Sequence, residues 1–491
     1  MIEKVLRLGK ETAIYGLSSI VGRFLNFLLV PFYTNFLTPA EYGVFTNVYA
    51  YIAFVFVVYG YGMDSAYMRF VSTLDMGDKK QNFSTPFFSL AATSVLFSVG
   101  IHLAATPLGS LIGLTAGQAN LVQYAAWILF FDTLSIVPFA YLRMENKAKM
   151  FAGLRILNIV INGALTVILL VVLHVGIEAM FIANLLASAS TFLTLLWLAF
   201  SQLTLRFSKP LYREFLRFGL PYIPASLAGI AIQVIDRPIV KALTNDATLG
   251  IYQASYRLGV FMMLVVGMFD YAWRPFFLTH AKDPDAKELF AKVFTYLVAL
   301  MMLVFVTVSL FIDDIVRIHL FGGYFINPKF WGGLSIVPVV LLAYVFTGAY
   351  VNFVVGVYLE KKTKYLPYAT GAGAVVNVVA NYALIPKLGI MGAAIATLLS
   401  YVVMAIGIYF PSQRLYRVRY EWGRIARLAA AAMVAFLTYS LLQLEPGSAS
   451  GIIIKSLICA VFVVLVFLLR VFDRSDVEQT KAAISRMFSR S

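Results

Sequence analysis

The chain has 491 residues, of which 61% are hydrophobic and only 13% are charged, and its mean hydropathy is +0.83. Long apolar runs recur from one end to the other, which excludes a soluble globular protein and predicts a polytopic, all-α membrane protein. The single cysteine, Cys459, excludes a disulfide framework. The first apolar run is long enough to span a bilayer and lacks a small-residue cleavage site, so we expect it to remain as the first span.

Apolar windows of about 20 residues, the length that crosses a bilayer, occur fourteen times, and we number them span 1 to span 14. They lie near residues 12–36, 43–64, 84–105, 119–141, 151–172, 177–201, 218–241, 250–272, 291–312, 333–358, 367–385, 390–412, 424–443 and 452–471. We therefore predict fourteen transmembrane helices.

The basic residues test this count and explain the formal net charge of +15. Of the 39 Lys and Arg residues, 31 lie in the N-terminal segment, in every second connection after it, or in the C-terminal tail. The alternate connections hold only Arg317, Lys329 and Lys387. Because cytoplasmic connections collect Lys and Arg, this alternation predicts that both termini are cytoplasmic. The positive charge is an orientation signal, and no nucleic-acid partner is expected.

The first half of the chain resembles the second half when it is shifted by about 207 residues. The shift aligns Tyr15 with Tyr222, Ser19 with Ser226, Gly22 with Gly229, Asn26 with Gln233, Pro31 with Pro238, and Gly43 with Gly250. "LNIVINGAL" (157–165) likewise resembles "VNVVANYAL" (376–384). Since six spans separate equivalent positions, the repeat is parallel, about an axis along the membrane normal, as in one class of secondary transporters.

The repeat predicts three units. Residues 1–205 form a first lobe (spans 1–6), residues 206–415 form a second lobe (spans 7–12), and residues 416–491 form spans 13 and 14 with a cytoplasmic tail. Parallel lobes of this kind enclose a central site and alternate its access by rocking. A transporter is therefore expected on the repeat alone.

Spans 1 and 7 each carry a polar stripe at helical spacing. A polar stripe in a membrane helix faces protein or water, so we predict that Ser19, Asn26, Ser226 and Gln233 line one cavity between the lobes. Arg23 lies in the stripe of span 1, about 16 Å from the cytoplasmic end at 1.5 Å per residue. An arginine at that depth costs about 2.5–3.5 kcal/mol on insertion scales, which indicates a function.

Two further arginines lie inside predicted spans, Arg257 in span 8 and Arg237 in span 7. A cavity with more arginine than acid selects an anion, and the planar guanidinium suits phosphate oxygens. We predict that Arg23, Arg257 and Arg237 bind an anionic group. For Arg237, a local salt bridge with Asp236 is an equal alternative.

The remaining charges inside the spans leave alternatives open. Asp132 pairs with Arg23 or binds a coupling cation. Asp64 and Asp270 pair with the nearby Arg69 and Arg274 or bind a cation, the pairing being favoured. Lys241 and Lys455 lie close to span ends, where a lysine side chain extends to the headgroups.

Motifs for catalysis and metal binding are missing from the sequence. There is no Walker A motif, G-x-S-x-G or H-E-x-x-H, and the four histidines are scattered without repeated spacing. We expect no enzymatic activity, no metal site and no cofactor. With no large loop to hydrolyse ATP, uphill transport would use an ion gradient, of H⁺ or Na⁺, or substrate consumption.

Two segments carry a resemblance to a known family. "GRFLNFLLVPFYTNFLTPAEYGVFTNVYAYI" (22–52) and "NYALIPKLGIMGAAIATLLSY" (381–401) resemble segments of the polysaccharide transporter family, the Wzx-type flippases of the multidrug/oligosaccharidyl-lipid/polysaccharide exporter superfamily. The likeness covers essentially the whole chain. It implies a flippase that moves an undecaprenyl-pyrophosphate-linked oligosaccharide, a surface-polysaccharide or O-antigen (lipopolysaccharide) repeat unit, from the cytoplasmic to the outer face of the bacterial inner membrane with cation coupling.

The resemblance also implies site residues and partners. Lipid II flippases, which are relatives, use cavity arginines on helices 1 and 8, the helices that hold Arg23 and Arg257 here. Their helix-2 arginine has no counterpart, since Arg69 lies beyond the span, which disfavours a peptidoglycan precursor as substrate. Spans 13 and 14 would hold the prenyl tail, and the partners would be membrane lipid and polysaccharide polymerase or assembly proteins.

Two other functions fit the same sequence. A multidrug/cation antiporter of this architecture predicts a cavity dominated by acids, which Arg23 and Arg257 disfavour. A non-transporting scaffold of a glycan assembly complex would use Arg23 only as a hydrogen-bond donor between helices.

Overall fold

A computed structural model describes residue 16, residues 20–320, 322–442 and 444–469, and residue 471. Within these residues, twelve helices are long and apolar enough to cross a membrane, and Lys209–Gly219 with Tyr222–Val234, bent by 43°, forms a pair that would make a thirteenth. The first predicted span lies partly outside the described residues. The chain is thus an all-α, multi-pass membrane protein, and the count of fourteen stays a prediction.

The first lobe contains spans 1 to 6. Span 1 is helical over residues 20–27 and over Val30–Phe36. The next spans are Pro39–Gly60 with Met63–Thr73 (span 2), Lys79–Leu103 (span 3), Ala119–Leu134 with Ile136–Met144 (span 4), Ala148–Val167 with a π-helical turn at Ile168–Val172 (span 5) and Glu178–Ala199 (span 6). Short helices lie at Ala105–Leu111, Ala116–Gln118 and Phe200–Gln202.

The second lobe follows the connecting helix Lys209–Gly219. Its spans are Tyr222–Val234 with Asp236–Leu243 (span 7), Asp246–Tyr256, Arg257–Gly259 and Val260–His280 (span 8), Ala286–Ile315 (span 9), Pro328–Ile336, Val337–Phe353 and Val355–Leu359 (span 10), Tyr365–Leu388 (span 11) and Ile390–Leu415 (span 12). A hairpin of strands β1 (His319–Leu320) and β2 (Gly323–Tyr324) joins spans 9 and 10. Trp422–Leu442 and Ala449–Leu468 are spans 13 and 14.

Spans 1 and 7 break at the positions that the repeat aligned. The helix of span 1 is interrupted at residues 28–29, just before Pro31, and that of span 7 at Ile235, just before Pro238. A proline inside a helix removes one backbone hydrogen bond and crowds the preceding turn. The two breaks are therefore set locally by the sequence.

We call the side with the Lys- and Arg-rich connections the basic side, and the other side the opposite side. The two lobes contact each other on the opposite side. A Cβ on Gly43 would lie 1.8 Å from the carbonyl oxygen of Asp246, and one on Gly250 would lie 1.9 Å from that of Pro39. Pro39 and Asp246 are themselves equivalent in the repeat. The contact is thus two-fold, and only glycine permits the helices of spans 2 and 8 to approach so closely.

Both of these helices begin at equivalent caps. Thr38 accepts a hydrogen bond from the backbone N–H of Glu41, whose carboxylate accepts one from the backbone N–H of Thr38. Asn245 accepts from the backbone N–H of Thr248 at 2.8 Å. Such caps satisfy N–H groups that the first helical turn leaves free, so both helices start at the lobe interface.

Spans 13 and 14 pack against span 9 through buried polar contacts. The Nζ of Lys455 is fully buried and lies 2.5 Å from Oδ2 of Asp314. The backbone N–H of Gly447 donates to the same carboxylate at 2.7 Å, and the hydroxyl of Tyr439 donates to Asp313 at 3.1 Å. The prediction that Lys455 extends to the headgroups is wrong, because a carboxylate on span 9 compensates its charge inside the protein.

Large apolar side chains cover the outside of the helices. Leu96, Trp197, Leu441 and Leu468 are each at least 69% exposed. A soluble protein would not carry so many large apolar side chains on its surface. These faces are the ones that contact lipid.

Candidate functional site

A cavity of about 490 Å³ lies between the two lobes, and we call it the central cavity. Spans 1, 2, 5 and 6 of the first lobe and spans 7, 8 and 10 of the second lobe line it. Its polar lining consists of Arg23, Asn26, Tyr33, Tyr49, Asn158, Asn162, Asn184, Arg237, Gln253, Tyr256, Arg257 and Tyr344. The structure thus brings together all three arginines that the sequence singled out, from three different spans.

Arg23 is exposed to this cavity from span 1. Span 8 passes it at Gly267, where a Cβ would lie 3.5 Å from Nη1 of Arg23. A Cβ there would be in ordinary van der Waals contact, so the distance shows that span 8 lies directly beside the guanidinium. Asn26, one turn further along span 1, is also exposed and lines the same cavity, as predicted from the stripe.

Arg257 occupies the short 3₁₀ turn that interrupts span 8. Its guanidinium carbon lies 5.9 Å from the ring centre of Tyr33 and 5.7 Å from that of Tyr42. Both rings are buried, and such cation–π contacts orient an arginine without neutralising it. Arg257 therefore keeps its charge available to the cavity.

Arg237 lies directly after the break in span 7. The alternative of a local salt bridge with Asp236 is wrong, since Asp236 is buried and instead accepts a hydrogen bond of 2.6 Å from the hydroxyl of Tyr252. Within the described part of the chain, the Nε of Arg237 has no hydrogen-bond partner. The side chain is held at the cavity wall with donor capacity to spare.

The central cavity is therefore strongly cationic. Three guanidinium groups line it, no acidic side chain does, and none of the three forms an ion pair with any described residue. Arginine is always charged and offers five N–H donors in a planar fork. In surroundings of lower dielectric than water, three such groups favour an anion with several oxygens.

A second cavity of about 580 Å³, which we call the first-lobe cavity, adjoins the central one. The two share Tyr49, Asn158 and Asn184 as lining residues. Its other polar residues are Asp64, Ser65, Asp132, Ser135, Arg143, Arg155, Ser188, Thr191, Tyr222 and Ser226. Gly62, Arg143 and Tyr222 come from the basic-side ends of spans 2, 4 and 7, so this cavity reaches towards the basic side.

Asp132 belongs to the first-lobe cavity rather than to the central one. Its charged neighbour is Arg155. The alternative that pairs Asp132 with Arg23 is therefore wrong. Arg155 lies 4.4 Å from the ring centre of Phe139, and Arg143 lies 5.4 Å from that of Phe151.

Arg143 and Arg155 are site residues that the sequence reasoning missed. Both were counted among the basic residues of a cytoplasmic connection. The available signal was their position at the ends of spans 4 and 5, one turn from aromatic residues that hold them against the lobe. Hydropathy windows do not resolve such ends.

The other residues predicted to line the cavity do not lie together. Ser226 lines the first-lobe cavity, whereas Gln233 is not among the lining residues of these two cavities and donates to the carbonyl of Gly229 on its own helix, so its lining role stays a prediction. Ser19 lies outside the described residues. Tyr49, which the repeat did not mark, lines both cavities.

Asp270 and Asp64 lie near the basic-side ends of their spans, and only one of them forms the expected ion pair. Asp270 forms the expected pair with Arg274, with contacts of 3.0 and 3.3 Å. The expected pair of Asp64 with Arg69 is wrong, because Arg69 lies 3.3 Å from Asp75 while Asp64 faces the first-lobe cavity beside Ser65.

Lys241 closes the opposite side instead of extending to the headgroups. Its Nζ lies 2.9 Å from Oδ1 of Asp246 and donates to the backbone carbonyl of Gly113 at 2.8 Å. Gly113 belongs to the first lobe and Lys241 to the second. Asn35 of span 1 adds a hydrogen bond of 2.6 Å to the carbonyl of Tyr324 in the hairpin. The lobes are therefore bridged on the opposite side.

Buried polar groups on spans 7 and 11 of the second lobe were also missed. The Oδ1 of Asp236 is buried without a hydrogen-bond partner among the described residues, as is the Oδ1 of Asn381 on span 11, which packs against this part of span 7. Asn381 donates to Oδ1 of Asn377 at 2.9 Å. The repeat aligns Asn377 and Asn381 with Asn158 and Asn162, which instead line the central cavity.

The sequence places this site in a family. Residues 34–327, more than half of the chain, match the family described as "Polysaccharide biosynthesis protein". The chain belongs to this family. No curated protein matches this polysaccharide biosynthesis protein.

Solved structures share its fold. The lipid II flippase MurJ, in an inward closed conformation, is similar with a TM-score of 0.76 and 14% sequence identity, covering 93% of this chain and 99% of that chain. The inward-facing conformation of a multidrug resistance MATE family transporter of the MOP superfamily has a TM-score of 0.60 at 17% identity, covering 80% and 94%. A MOP superfamily transporter from Pyrococcus furiosus, whose binding pocket is described as having reverse polarity, has a TM-score of 0.55 at 17% identity, covering 84% and 94%.

These comparisons confirm the resemblance to the polysaccharide transporters and the predicted fold class. The fold is that of a flippase and of multidrug transporters. This polysaccharide biosynthesis protein therefore has a flippase-type fold with an arginine-lined cavity between its lobes.

Proposed function

We propose that this protein is a flippase that moves a polyprenyl-pyrophosphate-linked oligosaccharide from the cytoplasmic to the outer face of a bacterial inner membrane. The observation that carries the proposal is the central cavity, which is lined by three arginines and, among the described residues, by no acid. A pyrophosphate presents several charged oxygens, which planar guanidinium groups bind by paired, charge-assisted hydrogen bonds.

Family membership supplies the second support. A polysaccharide biosynthesis protein with many membrane-spanning helices and a flippase-type fold has an evident task, because sugars assembled on one side of a membrane must reach the other. The glycan is polar and crosses hydrocarbon only inside a protein. The prenyl chain stays in lipid, where the exposed apolar faces of the helices lie.

The contacts between the lobes support alternating access as the mechanism of this proposal. On the opposite side, the glycine contact and Lys241 hold the lobes together. On the basic side, the first-lobe cavity leads into the central cavity. Because basic connections remain cytoplasmic, we place loading on the cytoplasmic side. Rocking of the lobes would then release the headgroup outside.

Cation coupling belongs to the same proposal, and Asp236 is the residue best placed for it. A buried carboxylate costs several kcal/mol unless it is paired or coordinated. The Oδ1 of Asp236 is buried without a hydrogen-bond partner among the described residues, and only its Oδ2 accepts from the hydroxyl of Tyr252. We expect Asp236→Asn to remove the ion dependence of transport while the protein still binds its lipid. Transport that depends on the ion gradient as before would exclude this role.

The decisive test removes the charge that the proposal uses. Arg23→Ala and Arg23→Lys are compared by complementation of a strain that lacks its own flippase for the same polysaccharide, and by translocation in reconstituted vesicles. Losing a hydrogen bond to a charged group costs about 1.5–3 kcal/mol, so we expect transport by the alanine variant to fall about 10- to 100-fold, with partial recovery in the lysine variant.

The control is Gln233→Ala, on span 7 but outside both cavities, which should transport normally. Full activity of Arg23→Ala would refute the anion site. Efflux of cationic drugs by the wild-type protein would favour the multidrug antiporter. A protein that supports glycan assembly in cells but translocates nothing in vesicles would be a scaffold.

A further inference from the structure

We propose that the first-lobe cavity is the saccharide subsite of the transported lipid, while the arginines of the central cavity hold its pyrophosphate. This inference rests on the proposed function and divides the headgroup between two compartments. It assigns a role to the first-lobe cavity, which is the larger of the two and lies outside the proposed anion site.

The two cavities differ in charge, as expected if one binds a neutral glycan and the other binds a pyrophosphate. The first-lobe cavity has two arginines, Arg143 and Arg155, and two acids, Asp64 and Asp132, so its formal charge is balanced. The part of the central cavity that the structure describes is lined by three arginines and no acid. An anion therefore gains most in the central cavity, whereas a neutral glycan is not excluded from the first-lobe cavity.

The wall of the first-lobe cavity is organised for hydroxyl groups. Asn158 donates to the hydroxyl of Thr191 at 2.9 Å, and Asn184 donates to the hydroxyl of Tyr49 at 2.7 Å. Amides and hydroxyls fixed by such a network keep further donors and acceptors for a ligand. Asp132 adds a carboxylate, which accepts from sugar hydroxyls. The hydroxyl groups of a sugar ring both donate and accept hydrogen bonds, so a wall with both kinds of group suits a sugar.

The two cavities are placed for one continuous ligand. They share Asn158 and Asn184, so a pyrophosphate at the arginines lies next to a sugar in the first-lobe cavity. Volumes of about 580 and 490 Å³ each suit a small-molecule group, for which sites of about 300–1,000 Å³ are usual. The first-lobe cavity reaches the basic side, where the proposed substrate is loaded.

The single native cysteine makes a direct test practical. In a Cys459→Ala background, Asn26→Cys places a thiol on the wall of the central cavity, and Ser226→Cys places one on the wall of the first-lobe cavity. Both positions are exposed, and each lines only one of the two cavities. The rate of maleimide labelling is measured in detergent, without ligand and with two probes, undecaprenyl pyrophosphate and the same lipid carrying an N-acetylglucosamine disaccharide.

We expect the bare lipid to slow labelling of Asn26→Cys at least fivefold and to leave Ser226→Cys unchanged, and the disaccharide lipid to slow both. Protection of Asn26→Cys alone by both probes would overturn the saccharide subsite and leave the proposed function standing. Protection of both thiols by the bare lipid would overturn the division of the headgroup. If neither probe protects either thiol, the proposed function itself fails.

Thr191→Val gives a second readout, which measures the binding of the same two lipids instead of thiol labelling. It removes the acceptor of the Asn158 amide with little change of shape. We expect weaker binding of the disaccharide lipid, by at least fivefold, with unchanged binding of bare undecaprenyl pyrophosphate, whereas Arg23→Ala weakens both. Equal effects of Thr191→Val on both lipids would contradict the proposal.

Discussion

The glycine contact on the opposite side predicts that one methyl group shifts the conformational equilibrium of the whole protein. In Gly43→Ala, the new Cβ would lie 1.8 Å from the carbonyl oxygen of Asp246. Carbon–oxygen contacts are normally about 3.3 Å or longer, so the lobes must separate there by about 1.5 Å. Forcing a methylene-sized group into a packed interior costs about 1–3 kcal/mol.

This cost falls on one state only, because the contact exists only while the lobes are closed on the opposite side. A difference of about 1–3 kcal/mol between two states changes their ratio about 5- to 150-fold. Gly43→Ala should therefore populate a state that is open on the opposite side. Gly250→Ala should act in the same direction, since its Cβ would lie 1.9 Å from the carbonyl oxygen of Pro39.

The shift is measured with spin labels across the lobe interface. Ser110→Cys and Ala242→Cys, in a Cys459→Ala background, place one exposed label on each lobe at the opposite side. Gly43→Ala should move the distance distribution to longer values and slow transport. Gly100→Ala in span 3, where a Cβ meets nothing within 4 Å, is the matched control. An unchanged distribution with normal transport in a well-folded Gly43→Ala protein would refute the reasoning.

Three further predictions follow from contacts that fix the helices. Lys241→Met removes the bridge to Gly113 and should lengthen the same label distances in the same direction, though less than Gly43→Ala; an unchanged distance would show that the lysine does not hold the lobes. Lys455→Ala leaves the partly buried Asp314 with only the backbone N–H of Gly447 and should cost about 1.5–3 kcal/mol, seen as a lower melting temperature, which Asp314→Asn in the same protein should partly restore. Thr38→Ala removes the cap of span 2 and should cost about 1 kcal/mol in the same assay, with Thr38→Ser retaining stability.

Several features of the site could be predicted from the sequence. The repeat aligned Gly43 with Gly250, and the structure shows these two residues in equivalent contacts across the lobe interface. The depth of Arg23 and Arg257 predicted a shared cavity, and both line it. These predictions succeed because hydropathy and helical periodicity are local properties, and because a charge inside a span is too costly to be placed at random.

Other residues were assigned wrongly because their partners are distant in the chain. Lys455 pairs with Asp314, which is 141 residues away, and Lys241 bonds to a carbonyl 128 residues away. No periodicity relates such pairs. Gln233 follows the polar stripe of span 7, yet it is not among the lining residues of the two cavities.

Hydropathy, charge and internal similarity were enough to predict the membrane class, the alternation of basic connections, the parallel repeat and the arginines inside the spans. The tertiary structure decided which charges face which cavity: Arg155 beside Asp132 in one compartment, and Arg237 with Arg23 and Arg257 in the other. The physical reason is that the depth of a side chain in the bilayer follows from its place along one helix, whereas its neighbours depend on how several helices pack.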